Sequence, residues 1–309
     1  MKRIYLFGEC MVELIQSSTD EMHQSFAGDV YNTAVYLKRA FDQIDVGLVT
    51  AIGADNMSQR MLDKFAQEQI NCDFVFQSEN YLPGLYSIET DEQGERSFAY
   101  WRNNSAARQV MQFIDESIVD KLSDGDIFFF SGISIAVVDS NYNAALWKMI
   151  TELKFKGVKI VFDPNYRAVL WDSPQEAKDQ FEFAFSLADI VLPSVDDFSR
   201  LYQISSAEEV QRYFESYTLK ELIIKNGEKG IDVVVDGTVE HFKNEPVKKV
   251  VDTTSAGDSF NGLYLGSRAV GMNIKKSIEL ASKSAAYVIQ HKGAIVPRDK
   301  FLKFIERSH

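Results

Sequence analysis

A run of small and polar residues ending in an aspartate stands near the C-terminal end of the sequence: Asp-Thr-Thr-Ser-Ala-Gly-Asp, residues 252–258. The apolar spacing that follows predicts a helix over 256–270. The first amides of a helix have no partner within it, and small residues such as Ala256 and Gly257 leave them open to an anion. Asp258 would reach the same anion and accept a proton from a hydroxyl. The run therefore predicts a phosphoryl-transfer site with Asp258 as the base.

A purely structural interpretation also exists for these residues, because Ser, Thr and Asp are common at helix N-termini and Asp258 would complement the helix dipole there. The complete run favours catalysis over capping. A second candidate group, Gly28, Asp29 and Asn32, opens a helix predicted over 30–41. For this group a turn at Gly28 and a helix cap at Asp29 remain the alternative.

These two segments carry a resemblance to a known family. Residues 252–258 resemble the signature Asp-Thr-Thr-Gly-Ala-Gly-Asp of the ribokinase-like carbohydrate kinases, the phosphofructokinase B family, with Ser255 in place of a glycine. Ser255 is tolerable at negative φ and strained at positive φ. Residues 27–34 are similar to the family's first signature, Gly-Gly-x-x-x-Asn-x-Ala, with Ala27 in place of the first glycine. The similarity extends from residue 4 to about residue 297.

The resemblance implies a kinase that uses ATP with Mg²⁺ and acts on a small carbohydrate. It implies that Asp258 is the base, that the amides of Ala256 and Gly257 hold the transferred group, and that the Gly28 group binds substrate hydroxyls. It also assigns a set of nucleotide-binding positions. These are Asn165, Ser194, Lys225, Gly227, Gly230, Ser255 and Gly257.

Some of the nucleotide-side positions have structural alternatives. Residues 222–230 predict a strand, a glycine turn and another strand, in which glycine lets the backbone approach a ribose or base, but a plain hairpin turn fits as well. Ser194 and Asp197 replace the family's Asn and Glu, so direct metal ligation by them is not predicted, and Asp197 equally suits a helix cap. The four histidines are scattered and show no metal-ligand spacing.

Segments 82–86 and 94–108 resemble the 2-keto-3-deoxygluconate kinases of this family in particular. A guanidinium matches a carboxylate, so Arg102 and Arg167 favour a sugar acid over a neutral sugar. Tyr86 and Tyr100 are candidates to close over the bound substrate. The expected product is 2-keto-3-deoxy-6-phosphogluconate. The alternatives for these residues are surface ion pairs for the arginines and packing for Tyr86. The alternative functions of the protein are a fructokinase or other sugar kinase of this family, and a non-catalytic sugar sensor.

The elements around these residues alternate between strand and helix. Strands are predicted over 4–7, 47–52, 127–131, 158–163, 190–193 and 222–225, with helices between them, which indicates a mostly parallel sheet. A hairpin is predicted from 85–88 and 97–101, around a turn at 91–94. We predict an α/β three-layer sandwich that forms one domain over 1–309, with a small β-sheet lid drawn from about 10–16 and 72–102.

Composition narrows the class of protein further. The net charge of -12 makes nucleic acid an improbable partner, because phosphate backbones would be repelled. The sequence has two cysteines and no apolar stretch of about 18 residues, so we expect a cytoplasmic protein that binds no membrane. The chain also lacks Gly-x-x-x-x-Gly-Lys-Ser/Thr and, after its first strand, Gly-x-Gly-x-x-Gly. The aromatic residues of the hairpin predict a homo-oligomer that forms through the lid.

Overall fold

The computed structural model describes residues 1–18, 20–90 and 96–308. Its centre is a 9-stranded sheet. In spatial order the strands are β13 (Thr238–Phe242), β12 (Ile231–Val235), β11 (Glu221–Lys225), β10 (Ile190–Val191), β9 (Lys159–Asp163), β8 (Ile127–Ser131), β1 (Arg3–Phe7), β4 (Asp45–Gly53) and β5 (Asn71–Ser78). Pairing is parallel from β11 to β5 and antiparallel for β12 and β13.

Helices cover both faces of this sheet. They are α1 (Asp29–Ala40), α2 (Asn56–Gln67), α3 (Glu116–Leu122), α4 (Gly132–Val137), α5 (Asn143–Phe155), α6 (Pro174–Leu187), α7 (Val195–Tyr202), α8 (Ala207–Tyr213), α9 (Ala256–Ala269), α10 (Ile274–Val288) and α11 (Arg298–Glu306). The predicted helices over 30–41 and 256–270 correspond to α1 and α9.

Side chains that alternate along the strands build two separate hydrophobic cores. Ile4 and Leu6 of β1 lie in the core under α1, α2, α9, α10 and α11. Tyr5 and Phe7 of the same strand lie in the core on the other face, under α3 to α8. Successive strand residues point to opposite faces, so a nearly continuous apolar strand supplies both cores. The result is the predicted three-layer arrangement of helices, sheet and helices.

A second sheet of four strands lies apart from the large one and is called the lid sheet below. Its order is β3 (Glu21–Ala27), β2 (Met11–Ser18), β6 (Leu85–Thr90) and β7 (Arg96–Trp101). β6 and β7 pair antiparallel as the predicted hairpin. The predicted turn at 91–94 lies outside the described residues.

The strands assigned to the lid sheet need correction at two places. Residues 72–78 were predicted in the lid, but Asn71–Ser78 forms β5 and pairs parallel with β4 in the large sheet. The reason is that α2 connects these strands, and a helical crossover places consecutive strands parallel in one sheet. Glu21–Ala27, which was not predicted, forms the lid edge strand β3. Its exposed, polar first half hides the strand pattern.

No helix within the described ranges has the length and apolar character needed to cross a membrane.

Candidate active site

The N-termini of α1 and α9 meet beside the carboxyl ends of the parallel strands, where ligands collect in open α/β sheets. A glycine makes this meeting possible. A Cβ built at Gly262 of α9 would lie 2.6 Å from the Thr33 carbonyl oxygen and 3.0 Å from the Leu37 nitrogen of α1. Only a residue without a side chain allows the two backbones to approach this closely.

Asp258 stands in the first turn of α9 and turns toward α1. The Asn32 side-chain nitrogen donates a hydrogen bond of 2.9 Å to Asp258 Oδ2, across 226 residues of sequence. Asp258 is half-buried, whereas Asn32 is almost fully buried. The two predicted signatures therefore come together at one carboxylate.

The surroundings of Asp258 make it a stronger base than an exposed aspartate. Burial and then the charge of Asp29 raise its pKa to about 7, against the opposing effect of the Asn32 hydrogen bond. A carboxylate with a pKa near the working pH is well matched to proton transfer. This is the ionisation behaviour expected of a general base.

Two of the three amides predicted to hold an anion at the start of α9 are free. The amides of Gly257 and Asp258 have no hydrogen-bond partner among the described residues. A Cβ added at Gly257 would meet no heavy atom within 4 Å in that part of the chain, so the side-chain position of Gly257 is open as well. The Ala256 amide, in contrast, donates to the Thr253 carbonyl at 3.3 Å and is already engaged.

Ser255 occupies a strained position. Its φ of 64° lies in the left-handed region, where glycine is preferred and other residues cost roughly 1 kcal/mol. In this conformation its side chain makes no capping hydrogen bond. The spacing Ser-x-x-Asp is compatible with a capping box, but the box does not form. The Asp258 side chain is therefore not used to cap the helix.

The sugar-side residues predicted from the first signature lie at the start of α1. Gly28 is required because a Cβ there would lie 2.3 Å from the Glu9 carbonyl oxygen. Asp29 Oδ2 accepts hydrogen bonds from the Ser131 hydroxyl at 2.6 Å and from the Asn165 side-chain nitrogen at 3.1 Å. Asn165, which was predicted on the nucleotide side, thus contacts a residue of the sugar side. Burial is the main cause that raises the pKa of Asp29.

Arg102 has a protein partner that the sequence did not indicate. Its Nη2 atom donates to Oε2 of Glu9, and both side chains are buried. Glu9 follows β1 and its carbonyl oxygen borders Gly28, so this ion pair brings Arg102 to the sugar side. A Cβ on Gly84 would lie 2.6 Å from Glu9 Oε1, which explains the glycine at the start of β6.

The two predicted lid tyrosines stack on one another, with ring centroids 5.8 Å apart. Tyr86 is buried and its hydroxyl donates to Glu13 of β2, so packing inside the lid sheet accounts for much of its environment. Tyr100 is about half exposed. Tyr86 and Ile88 also pack in one cluster with Ala294, next to Gly293, whose amide donates 2.7 Å to Asp252. The lid sheet therefore borders the segment that leads into α9.

Arg167 and Ser194 contact a common neighbour, Asp197. Nη1 of Arg167 lies 3.6 Å from Asp197 Oδ1, and the arginine side chain is 47% exposed. Ser194 is the N-cap of α7: its hydroxyl oxygen accepts from the Asp197 amide at 3.0 Å and donates to Asp197 Oδ2 at 2.7 Å. The cap of α7 is therefore Ser194 rather than Asp197, and the assignment of Ser194 to the nucleotide side stays a prediction.

The remaining nucleotide-side residues lie at the end of β11. Lys225 Nζ donates to Asp163 Oδ2 at 2.9 Å and to Asn261 Oδ1 at 3.3 Å. Gly227 and Gly230 both have positive φ, 53° and 107°. A Cβ at Gly230 would come within 2.3 Å of the Phe242 carbonyl oxygen, so this turn depends on glycine.

Several residues that contact the predicted site residues were missed by sequence reasoning, among them Glu9, Glu13, Ser131, Asp163 and Asn261. Asn261 follows Asp258 by three residues, so helical spacing alone places them on neighbouring positions of one face. Asp163 ends an apolar strand, which is where polar ligand-binding residues are expected. Glu9 and Glu13 carry no comparable signal, because their partners come from distant parts of the chain.

Comparison with known proteins agrees with this arrangement. Residues 1–300 match the model of the pfkB family carbohydrate kinases. The chain is 38% identical over 304 residues to a 2-dehydro-3-deoxygluconokinase of Haemophilus influenzae, covering 96% of each chain. It is 37% identical over 303 residues to the enzyme of that name in Dickeya dadantii, covering 96% of this chain and 97% of the relative.

A solved structure shows the same fold. It is titled a putative Ribokinase II in complex with ATP and Mg²⁺ from Escherichia coli, with a TM-score of 0.84 and 23% identity over 99% of this chain and 100% of the other. The family model matches nearly the whole chain, and the relatives named above share 37% and 38% identity with it over almost their full length. The chain therefore belongs to the pfkB family of carbohydrate kinases.

Proposed function

We propose that this kinase transfers the terminal phosphoryl group of ATP to the terminal hydroxyl of 2-keto-3-deoxygluconate and produces 2-keto-3-deoxy-6-phosphogluconate. The observation that carries the reaction type is the half-buried Asp258 carboxylate next to the free amides of Gly257 and Asp258. The substrate rests on the relatives that share 37% and 38% of their residues with the chain.

Asp258 acts first as the proton acceptor. As the substrate hydroxyl attacks the γ-phosphorus, its proton passes to the Asp258 carboxylate, and the bond between the γ-phosphorus and the leaving oxygen of ADP breaks. Asn32 holds the carboxylate through its 2.9 Å hydrogen bond. The free amides of Gly257 and Asp258 stabilise the charge on the transferred group, since donors already in place need no reorganisation.

ATP would lie between the start of α9 and the glycine turn at 227–230, with Lys225 at the phosphate end. No group of three or more His, Cys, Asp or Glu side chains in the described ranges is arranged to hold a metal ion. At nucleotide sites Mg²⁺ is usually held by substrate phosphates and water with one or two carboxylates, and there it would neutralise phosphate charge. Because ATP is an intracellular compound, we also propose that the protein acts in the cytoplasm.

Two arginines support an acidic substrate. Arg102 is buried, and Glu9, whose carbonyl oxygen borders Gly28, engages its Nη2 atom, so the guanidinium is held in one place. Arg167 is half exposed; its Nη1 atom donates to the Tyr166 carbonyl at 2.9 Å and lies 3.6 Å from Asp197 Oδ1. A guanidinium presents a planar fork of N–H donors, and this fork matches the two oxygens of a carboxylate.

A substrate panel tests the proposal. With ATP and Mg²⁺, 2-keto-3-deoxygluconate should give a kcat/KM well above those of fructose, ribose and gluconate, measured as ADP release and confirmed by the mass of the phosphorylated product. Equal kcat/KM for fructose would contradict the sugar-acid assignment. Binding of the sugar acid without turnover would instead favour a sensor.

The pH dependence of turnover follows from the Asp258 pKa of about 7. The base must be ionised, so activity is lost on protonation as the pH falls through this value. We expect kcat/KM for the sugar acid to decrease about tenfold per pH unit below this value, because kcat/KM reports the ionisation of the free enzyme. A kcat/KM that stays constant down to about pH 5 would contradict an aspartate with this pKa as the base.

We also propose that the lid sheet pairs with that of a second copy. Phe98, Tyr100 and Trp101 of β7 are 45%, 48% and 61% exposed. Phe98 and Tyr100 lie on one face of this edge strand and Trp101 on the other, and exposed aromatic residues on a small sheet favour burial in an interface. Sedimentation should show a dimer for the natural chain and a monomer for Trp101→Glu, whereas Phe155→Glu on α5 should leave the dimer intact. A natural chain that sediments only as a monomer would refute this proposal.

A further inference from the structure

Asp163, the last residue of β9, lies between the sugar side and the nucleotide side of the site. Asp163 is only 4% exposed, and both of its carboxylate oxygens accept hydrogen bonds. A buried carboxylate is costly unless it is paired, and this one is paired in two directions. The two directions lead to the two substrates.

Oδ1 of Asp163 supports the sugar side through Asn165. It accepts a hydrogen bond of 3.2 Å from the backbone amide of Asn165, while the side-chain nitrogen of Asn165 donates to Asp29 at 3.1 Å. Asn165 has a φ of 35°, in the left-handed region, and this conformation lets one residue make both contacts. A backbone kept in an unfavourable conformation at a ligand site is commonly retained for function.

Oδ2 of Asp163 supports the nucleotide side. It accepts from Lys225 Nζ at 2.9 Å and from the Asn261 side-chain nitrogen at 2.6 Å. Asn261 is buried in α9, three residues after Asp258, so this oxygen also ties Asp163 to the helix that carries the base. Lys225 in turn lies 3.3 Å from Asn261 Oδ1, which closes the group of three side chains.

We propose that Asp163 is a positioning residue of the reaction: one buried carboxylate fixes Asn165 on the sugar side, Lys225 on the nucleotide side and α9 relative to one another. The acceptor hydroxyl and the donor phosphate then meet in line. Phosphoryl transfer depends chiefly on such alignment, and a displacement of 1 Å can slow a reaction by about 100-fold. This inference rests on the proposed kinase reaction.

The variant Asp163→Asn keeps the shape of the side chain but presents an amide where Lys225 needs a carboxylate. We expect kcat to fall on the order of 10- to 100-fold, with smaller changes in both KM values. The acidic limb of the pH profile should also move to lower pH. Burial and the negative charge of Asp29 in α1 raise the pKa of Asp258 most, and the negative charge of Asp163 raises it further. The Asp163→Asn variant removes the Asp163 charge and leaves the Lys225 cation without a carboxylate partner there, so the pKa of Asp258 falls.

A matched control is Asp189, which lies just before β10 and contacts the opposite end of β9. Asp189 is likewise buried, accepts from the Ile160 amide of β9 at 2.9 Å, and lies 3.1 Å from Lys220 Nζ. Asp189→Asn should lower the melting temperature to a similar degree and leave kcat per folded molecule and the pH profile unchanged. Equal behaviour of the two variants in kcat and pH profile would overturn the proposal and make Asp163 purely structural.

If Asp163→Asn does not fold, Asn165→Gly tests the sugar-side connection alone. Glycine accepts the φ of 35° and keeps the amide that donates to Asp163, so only the contact with Asp29 is lost. A decreased kcat in a stable variant supports the proposal, and an unchanged kcat contradicts it. Absence of turnover in the natural chain would reject the proposed function itself, so the two failures are distinguishable.

Discussion

The close approach of α1 and α9 at Gly262 is the constraint on which the site depends. Any side chain at Gly262 would collide with the Thr33 carbonyl, at 2.6 Å, and separate the helices. Their contact places Asn32 against Asp258, although these residues are 226 positions apart in the chain. A packing requirement in the hydrophobic core thus determines the distance between the sugar-binding and catalytic segments.

Three carboxylates, Asp29, Asp163 and Asp258, influence one another electrostatically within this site. Their repulsion is limited by neutral donors: Asn32, Asn165, Asn261 and Ser131 all donate to them. Lys225 is the cation that contacts Asp163. Burial is the first cause of the raised pKa of Asp258, and the Asp29 charge adds to it, because most donors here are neutral amides rather than cations. The arrangement provides a base that an exposed aspartate, with its pKa near 4, would not provide.

Much of the site was predictable because its residues occur in short segments. The anion hole at 252–258 and the Gly28 group follow from helix N-terminal chemistry and from the family resemblance. The large sheet follows from strict alternation of strands and helices. The lid sheet was predicted less well, since β3 is polar in its first half and β5 lies next to the lid segments in sequence but pairs with β4.

The partners of the predicted residues could not be found in the same way. Glu9 neutralises Arg102 from 93 positions away, and Asp163 meets Lys225 across 62 positions. Such pairs depend on which strand ends become neighbours in the sheet. Local sequence patterns predict the strands but not their spatial order in the sheet. The positive φ of Ser255 likewise needs coordinates, because a serine in a family glycine position is compatible with either sign of φ.

The most direct test of the account is the turnover of Asp258→Asn with ATP and 2-keto-3-deoxygluconate, together with calorimetric binding of both ligands. The amide keeps an oxygen that can accept from Asn32 but is a far weaker base. The account predicts a kcat lower by about 10²- to 10⁴-fold with binding of both ligands retained. A variant that turns over at nearly the rate of the natural chain would contradict the assignment of Asp258 as the catalytic base.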